Sequence, residues 1–302
     1  MDRLRSILVG VDFSPCSEAA LRQAVRIGAW THARVAAVNV VPLPVYALPS
    51  GMMAPIEFHP VDLLVDSARC RWAEWPPACE LGEKVAFDVT LGVPRGELVD
   101  RVSRGGYDLL VIGAHSDFDS RRGVGSVAAA CVQRAACKVL VVREQQVGSF
   151  RSVVACVDFA EASRVALEQA IRIAAQDGSL LHIVHVFSDP WRGIAGADAA
   201  RLRGSALADR YRAAVEHDLR LFCDPMAHEL AALKASFHAM QYDGHGKGVV
   251  QFVQQQGCDL VVLGTRARWN IRDFLWGSTA ERVVREAGCS ALTVKPPGFQ
   301  AQ

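Results

Sequence analysis

The sequence predicts an α/β fold of two tandem domains, residues 1–146 and 151–302, each a five-stranded, mostly parallel sheet with helices on both faces. Three observations lead there. A chain of 302 residues exceeds what one hydrophobic core usually serves. The first half returns in the second: Arg5-Ser6-Ile7-Leu8-Val9-Gly10-Val11-Asp12-Phe13 reappears as Arg151-Ser152-Val153-Val154-Ala155-Cys156-Val157-Asp158-Phe159, offset by 146. Tyr107–Gly113 reappears as Cys258–Gly264 at an offset of 151, and Gly125-Ser126 as Gly277-Ser278 at 152. Within each copy, short β-branched runs alternate with helical patterns, as βαβ units require.

Strands are expected in the first copy at about 6–11, 33–40, 85–90, 107–112 and 138–142. Leu109-Leu110-Val111-Ile112 and Val139-Leu140-Val141-Val142 are apolar throughout, as strands covered on both faces must be. Behind the start signal Ser14-Pro15, residues Ala20, Leu21, Ala24, Val25 and Gly28 recur at helical spacing. Ala166, Leu167, Ala170, Ile171 and Ala174 repeat this in the second copy. The proline-rich stretch 42–80 reads as loop plus one helix around Val61–Val65, either a seat for contacts particular to this protein or a covering loop without a role. Its counterpart around 188–235 reads as more helical, and Glu144-Gln145-Gln146-Val147-Gly148-Ser149 serves as the linker.

Composition narrows the function. Apolar residues make up 51% and charged ones 22%, with 33 Lys+Arg against 32 Asp+Glu, so no excess charge asks for nucleic acid or a membrane surface. Nine cysteines without a CxxC pair fit buried thiols in a reducing cytosol, and the first residues hold neither a signal sequence nor a span. The expected location is the cytoplasm.

In an open parallel sheet, ligands bind beyond the carboxyl ends of the strands where strand order reverses. Two features of each copy fall there: the aspartate closing the first strand, Asp12 or Asp158, and the loop from the fourth strand to a Gly-Ser pair. The second loop reads Gly264-Thr265-Arg266-Ala267, nine residues, then Gly277-Ser278-Thr279. Gly277 lets a phosphate approach the backbone, and Ser278 and Thr279 add hydroxyls beside the open amides of a helix start. Arg266, Arg268 and Arg272 against Asp273 give it the makeup of an anion cradle. The first loop, Gly113-Ala114-His115-Ser116 then Gly125-Ser126, has eight intervening residues, and Asp117 and Asp119 offset Arg121 and Arg122. By composition alone, both loops also fit ordinary capped strand-to-helix turns.

These residues, found twice at matching positions, resemble the universal stress protein family, whose nucleotide-binding members carry Gly-x2-Gly-x9-Gly-(Ser/Thr) after the fourth strand and Val-Asp after the first. The resemblance spans both halves. It implies Rossmann-like domains of the adenine nucleotide α-hydrolase-like type and ATP, with or without Mg²⁺, as ligand. In the second domain the implied nucleotide-binding residues are Val157, Asp158, Val186, Leu263, Gly264, Arg266, Ala267, Gly277, Ser278 and Thr279. In the first they are Val11, Asp12, Val40, Gly113, His115, Gly125, Ser126 and Val127. The motif's second glycine is replaced by Ala267 in one half and Ser116 in the other, and the first loop is one residue short, which favours the second domain. Family domains pair through their last strands, so Val139–Arg143 and Leu292–Pro296 are expected to pair within the chain, with a further homodimer and an unknown protein partner left open.

Other constellations are set aside. His182 and His185, three apart on a strand, cannot converge on one metal. Gly244-His245-Gly246-Lys247-Gly248 lacks P-loop spacing and the Ser/Thr after lysine, and reads as a turn before a helix. Cys131 and Cys137 read as buried small hydrophobes. No Gly-x-Ser-x-Gly elbow occurs, and Asp12-Phe13-Ser14-Pro15 stands where an ATP-using enzyme would need a glycine-rich loop. The expected function is an ATP-binding stress-response regulator with little or no catalysis; the alternative is a nucleotide-free scaffold of the same fold.

Overall fold

A computed structural model describes residues 4–42, 60–81, 84–116, 123–191, 201, 205–265 and 277–296. The chain divides into two compact units between Val147 and Gly148. The first unit runs β1 (Ser6–Gly10), α1 (Pro15–Thr31), β2 (Arg34–Val41), α2 (Pro60–Glu74), α3 (Pro76–Leu81), β3 (Val85–Leu91), α4 (Pro94–Gly105), β4 (Leu109–Gly113), α5 (Ser126–Arg134) and β5 (Lys138–Val142). The second runs β6 (Ser152–Cys156), α6 (Glu161–Asp177), β7 (Leu180–Phe187), α7 (Ala206–Cys223), a 3₁₀ turn (Asp224–Met226), α8 (Ala227–Ala231), β8 (Lys234–Gln241), α9 (His245–Gln256), β9 (Leu260–Gly264), α10 (Ser278–Glu286) and β10 (Ser290–Val294).

Each sheet is parallel in its pairings, ordered β3-β2-β1-β4-β5 in the first unit and β8-β7-β6-β9-β10 in the second. Strand order reverses between β1 and β4, and again between β6 and β9, because the chain first winds outward from the centre and then crosses to the other side. Ile7, Leu8 and Val9 are consecutive and all fully buried, so helices cover both faces there. The same holds for Val153, Val154 and Ala155. The strands expected at 6–11, 33–40, 85–90, 107–112 and 138–142 form within two residues of those bounds.

The shift of β4 to Leu109 has a cause. Asp108 lies just before the strand, and its carboxylate accepts the backbone N–H groups of Arg5 and Ser6 at 2.8 and 3.1 Å. Asp259 accepts those of Arg151 and Ser152 in the same way. The repeated aspartate thus fixes the amino end of each unit's first strand, where donors would otherwise go unpaired.

Helix α1 starts as its sequence dictates. The Ser14 hydroxyl accepts the N–H of Ser17, and Pro15 occupies the first turn, where its missing donor costs nothing. The helix around Val61–Val65 is α2, within Pro60–Glu74. The 188–235 region carries α7, the 3₁₀ turn and α8, as the sequence suggests.

Candidate functional site

A cleft of about 550 Å³ opens in the first unit at the carboxyl ends of β1, β2 and β4. Its floor is Gly10–Phe13 from β1, Val38–Pro42 from β2, and Ile112–Ser116 from β4. Leu64, Ser67, Ala68 and Arg71 of α2 line it, as do Pro94 and Leu98 of α4 and Gly125, Val127 and Ala128 at the start of α5. The predicted residues Val11, Asp12, Val40, Gly113, His115, Gly125 and Val127 therefore share one cavity, while Ser126 is the first residue of α5. The 42–80 segment contributes a wall through α2.

A repeated, strained turn presents Asp12. Phe13 has φ 64 and Phe159 φ 62, the left-handed region that costs a non-glycine residue about 1–2 kcal/mol. The preceding carboxylate stabilises each turn: Asp12 Oδ1 accepts from Ser14 N at 3.0 Å, and Asp158 Oδ1 from Ala160 N at 3.2 Å. Phe13 is held by Trp75 edge-on at 5.4 Å and by the Arg71 guanidinium over its ring at 4.5 Å. Phe159 packs on His185 at 4.3 Å and on Phe222 at 5.7 Å.

A second support lies beneath the aspartates. Buried Asn39 donates to the Val11 carbonyl at 2.7 Å. His185, the equivalent residue of β7, places Nδ1 2.8 Å from the Val157 carbonyl, so Nδ1 is assigned the proton. Burial lowers the pKa of this imidazole, with a smaller contribution from His245. His185 is thus a strand-end histidine, on the opposite face of β7 from His182.

The loop glycines have distinct duties. A Cβ on Gly264 would lie 2.5–2.8 Å from backbone atoms of Ala162 and Ser163, and one on Gly113 2.8–3.0 Å from Cys16 and Ser17. Both mark where the first helix of a unit crosses its fourth strand, so close helix–strand packing requires them. Gly277 differs, because a Cβ there would meet nothing within 4 Å, and its open side adjoins the start of α10. Gly125 donates its N–H to the Ala114 carbonyl at 2.7 Å, folding the first loop back on itself. Arg266, Ala267, Arg268, Arg272 and Asp273, with Ser116's neighbours Asp117, Asp119, Arg121 and Arg122, lie outside the described residues.

In the second unit Val157, Asp158 and Leu263 hold the places of Val11, Asp12 and Ile112, and Ser278 and Thr279 open α10. Val186 is buried against α9: a Cβ on Gly248 would come within 2.7 Å of it. The three glycines of the Gly-His-Gly-Lys-Gly run serve the turn and the packing of α9. Gly244 takes φ 98 as the N-cap of α9, Gly246 allows α9 to approach Thr279 and Arg282 of α10, and Gly248 admits Val186.

Cys16 sits at the amino end of α1, its Sγ 3.6 and 3.7 Å from the two ring nitrogens of His115. It is fully buried, and desolvation pushes its thiol up. Burial thus favours the thiol over the thiolate a nucleophile needs, and the contact ties the start of α1 to His115 of the cleft lining. Cys131 and Cys137 are both buried, as small hydrophobes are.

The sheet order, the strand-end cleft and the doubled Val-Asp and Gly-Ser elements agree with what the profile of the Universal stress protein family finds, matching residues 3–143 and again 149–295. The chain belongs to the Universal stress protein family. It is a tandem member: Universal stress protein E of Photorhabdus laumondii is 25% identical, the match covering 99% of this chain and 98% of that protein. A universal stress protein of Methanocaldococcus jannaschii is 26% identical over 49% of this chain and 84% of its own length. Among solved structures, a universal stress protein from Archaeoglobus fulgidus superposes with TM-score 0.65 at 19% identity, covering 96% of this chain and 98% of its own. A functionally unknown protein from Pseudomonas aeruginosa PAO1 superposes with TM-score 0.62 at 17% identity, covering 97% and 93%. These two likenesses establish the Rossmann-like fold.

Proposed function

We propose that this universal stress protein is a regulator that binds an adenine nucleotide, with little or no catalysis, and that the first-domain cleft is a seat for it. The observation that carries this reading is the single cavity joining Asp12 to the Gly125 start of α5 at the reversal of strand order. The walls Val38, Val40, Leu64 and Leu98 suit the faces of a base. The open amides at the start of α5 suit a phosphate, and His115 lines the same cavity. Asp12, oriented by its turn, offers carboxylate oxygens that suit ribose hydroxyls as donors. The preference for adenine, and for ATP accompanied by Mg²⁺, comes from the family motif. The second domain keeps Asp158 and the Gly277-Ser278-Thr279 helix start, and its loop length and arginines favour it as a seat on sequence grounds, beside the first cleft that the geometry supports.

Calorimetric titration of the intact chain with ATP tests this. Binding in the micromolar range is expected, weakened at least tenfold by Asp12→Ala or Gly125→Val if the first cleft is the seat. Asp158→Ala and Gly277→Val, titrated in parallel, assign the second. Absence of binding to the unaltered protein contradicts the proposal and favours the nucleotide-free scaffold.

A further inference from the structure

A polar cluster on β7 and β8 takes no part in the nucleotide sites above. His182 Nδ1 lies 3.2 Å from His238 Nε2, and the Ser236 hydroxyl oxygen lies 2.9 Å from each of those nitrogens. The strand pairing sets this up: His182 pairs with Ser236, and His238 is two residues further along the same face. Phe252 of α9 packs against both rings, at 5.5 and 4.8 Å, and fixes their planes. All three residues are half-buried, on the strand that ends this unit's sheet order and the one beside it.

The fold does not require these side chains. In the first unit, Ala36 pairs with Ala86, and Asp88 follows on the same face of β3, where it meets Arg101. The same sheet positions thus hold two alanines and an ion-paired aspartate in one copy, and two imidazoles flanking a hydroxyl in the other. Burial lowers the pKa of both histidines, and His238 adds a smaller lowering at His182. Burial thus favours the neutral rings, the form in which imidazole binds metals.

We propose that His182 and His238, with Ser236 between them, form a binding site for a borderline first-row divalent cation such as Zn²⁺. The argument is the spacing. An ion at the usual Zn–N distance of about 2.0–2.1 Å from both nitrogens would subtend about 100–106° between them, close to tetrahedral. Each neutral ring moves its one proton to the nitrogen facing away, so the two coordinating lone pairs become available without net proton release. The Ser236 oxygen stands where it can be a third ligand or hold a coordinated water. Among the described residues no third His, Cys, Asp or Glu joins the set, so the remaining positions are left to solvent or an incoming ligand. That places the site with open metal centres and apart from closed structural ones.

The test is calorimetric titration of the full chain with Zn²⁺ alone, with Co²⁺ absorption as a second readout. The expected result is one tight equivalent per chain and a visible Co²⁺ spectrum of tetrahedral type. Loss of either ring should weaken binding beyond the ~10–100-fold typical of removing an outer-shell partner. Because both rings pack on Phe252, His182→Phe and His238→Phe keep the ring volume while removing the nitrogens, and circular dichroism checks that they fold. Should either phenylalanine variant unfold, His182→Gln and His238→Gln serve the same comparison, and Zn²⁺-induced shifts of the two imidazole signals in the unaltered protein read the site directly. Zn²⁺ binding that survives in the variants, that falls instead with His185→Asn, or that is absent from the intact chain overturns the proposal.

Discussion

At the residue scale, the duplication supplies its own controls. Asn39 and His185 occupy equivalent positions and reach equivalent carbonyls at 2.7 and 2.8 Å. Asn39→Ala leaves the Val11 carbonyl buried without its donor and should cost about 1–3 kcal/mol in denaturant unfolding. His185→Asn should keep the bond and the stability at neutral pH. The acid behaviour follows from the sign of the shift. His182, His185 and His238 all have pKa values lowered in the folded state, so the unfolded chain binds protons first as pH falls below about 6.5. Stability should be unaffected by these groups above that pH and decline as pH drops towards their folded values. His185→Asn should make that decline shallower; an unchanged slope in pH-dependent urea titrations contradicts the assignment. The glycines divide equally sharply. Gly264→Ala forces a Cβ against the Ala162 backbone and should cost about 1–3 kcal/mol or more, with or without nucleotide. Gly277→Ala meets open space and should shift stability by no more than about 0.5 kcal/mol.

At the element scale, α1 and α6 differ at one capping position. Ser14 and Ala160 have nearly the same backbone angles, φ −77 and −83, but only Ser14 has a hydroxyl to accept the Ser17 N–H. Ala160→Ser should therefore stabilise the second domain by about 0.5–1 kcal/mol, and Ser14→Ala should destabilise the first by a similar amount, both readable as shifts in thermal midpoint. Strands and helices were legible in the sequence because parallel strands buried on both faces are written as unbroken apolar runs, and because Ser14-Pro15 is a start signal with a mechanism. Asp108 and Asp259 were visible as repeats, yet their duty of pairing the first strand's amides depends on a neighbour about a hundred residues away. The His182–His238 pair was hidden for the same reason: periodicity along β7 says where His182 points, but only the register with β8 brings the second ring to it. Gly113 and Gly264 were read with the phosphate loop, and their close approach to α1 and α6 emerged only from packing. The cleft wall supplied by α2 likewise comes from a segment whose prolines gave composition and no placement.

At the scale of the whole molecule, two copies of one architecture carry different strand-end chemistry. The first has a cleft walled by α2 and an Arg71–Phe13 stack; the second has His185 under its aspartate, the imidazole pair on β7 and β8, and the longer glycine loop. A ligand bound only to the folded form stabilises it by mass action, about 2.7 kcal/mol at a hundredfold excess over Kd. ATP should therefore raise the thermal midpoint of the intact protein; Asp12→Ala should remove the share of that rise due to the first cleft, and Asp158→Ala the share due to the second domain. The most direct measurement is a crystal structure of the intact chain with ATP. The account predicts nucleotide density in the first-domain cleft, with its sugar near Asp12 and its phosphates at the Gly125 start of α5. Density confined to the second domain, or none in either at saturating ATP, contradicts it.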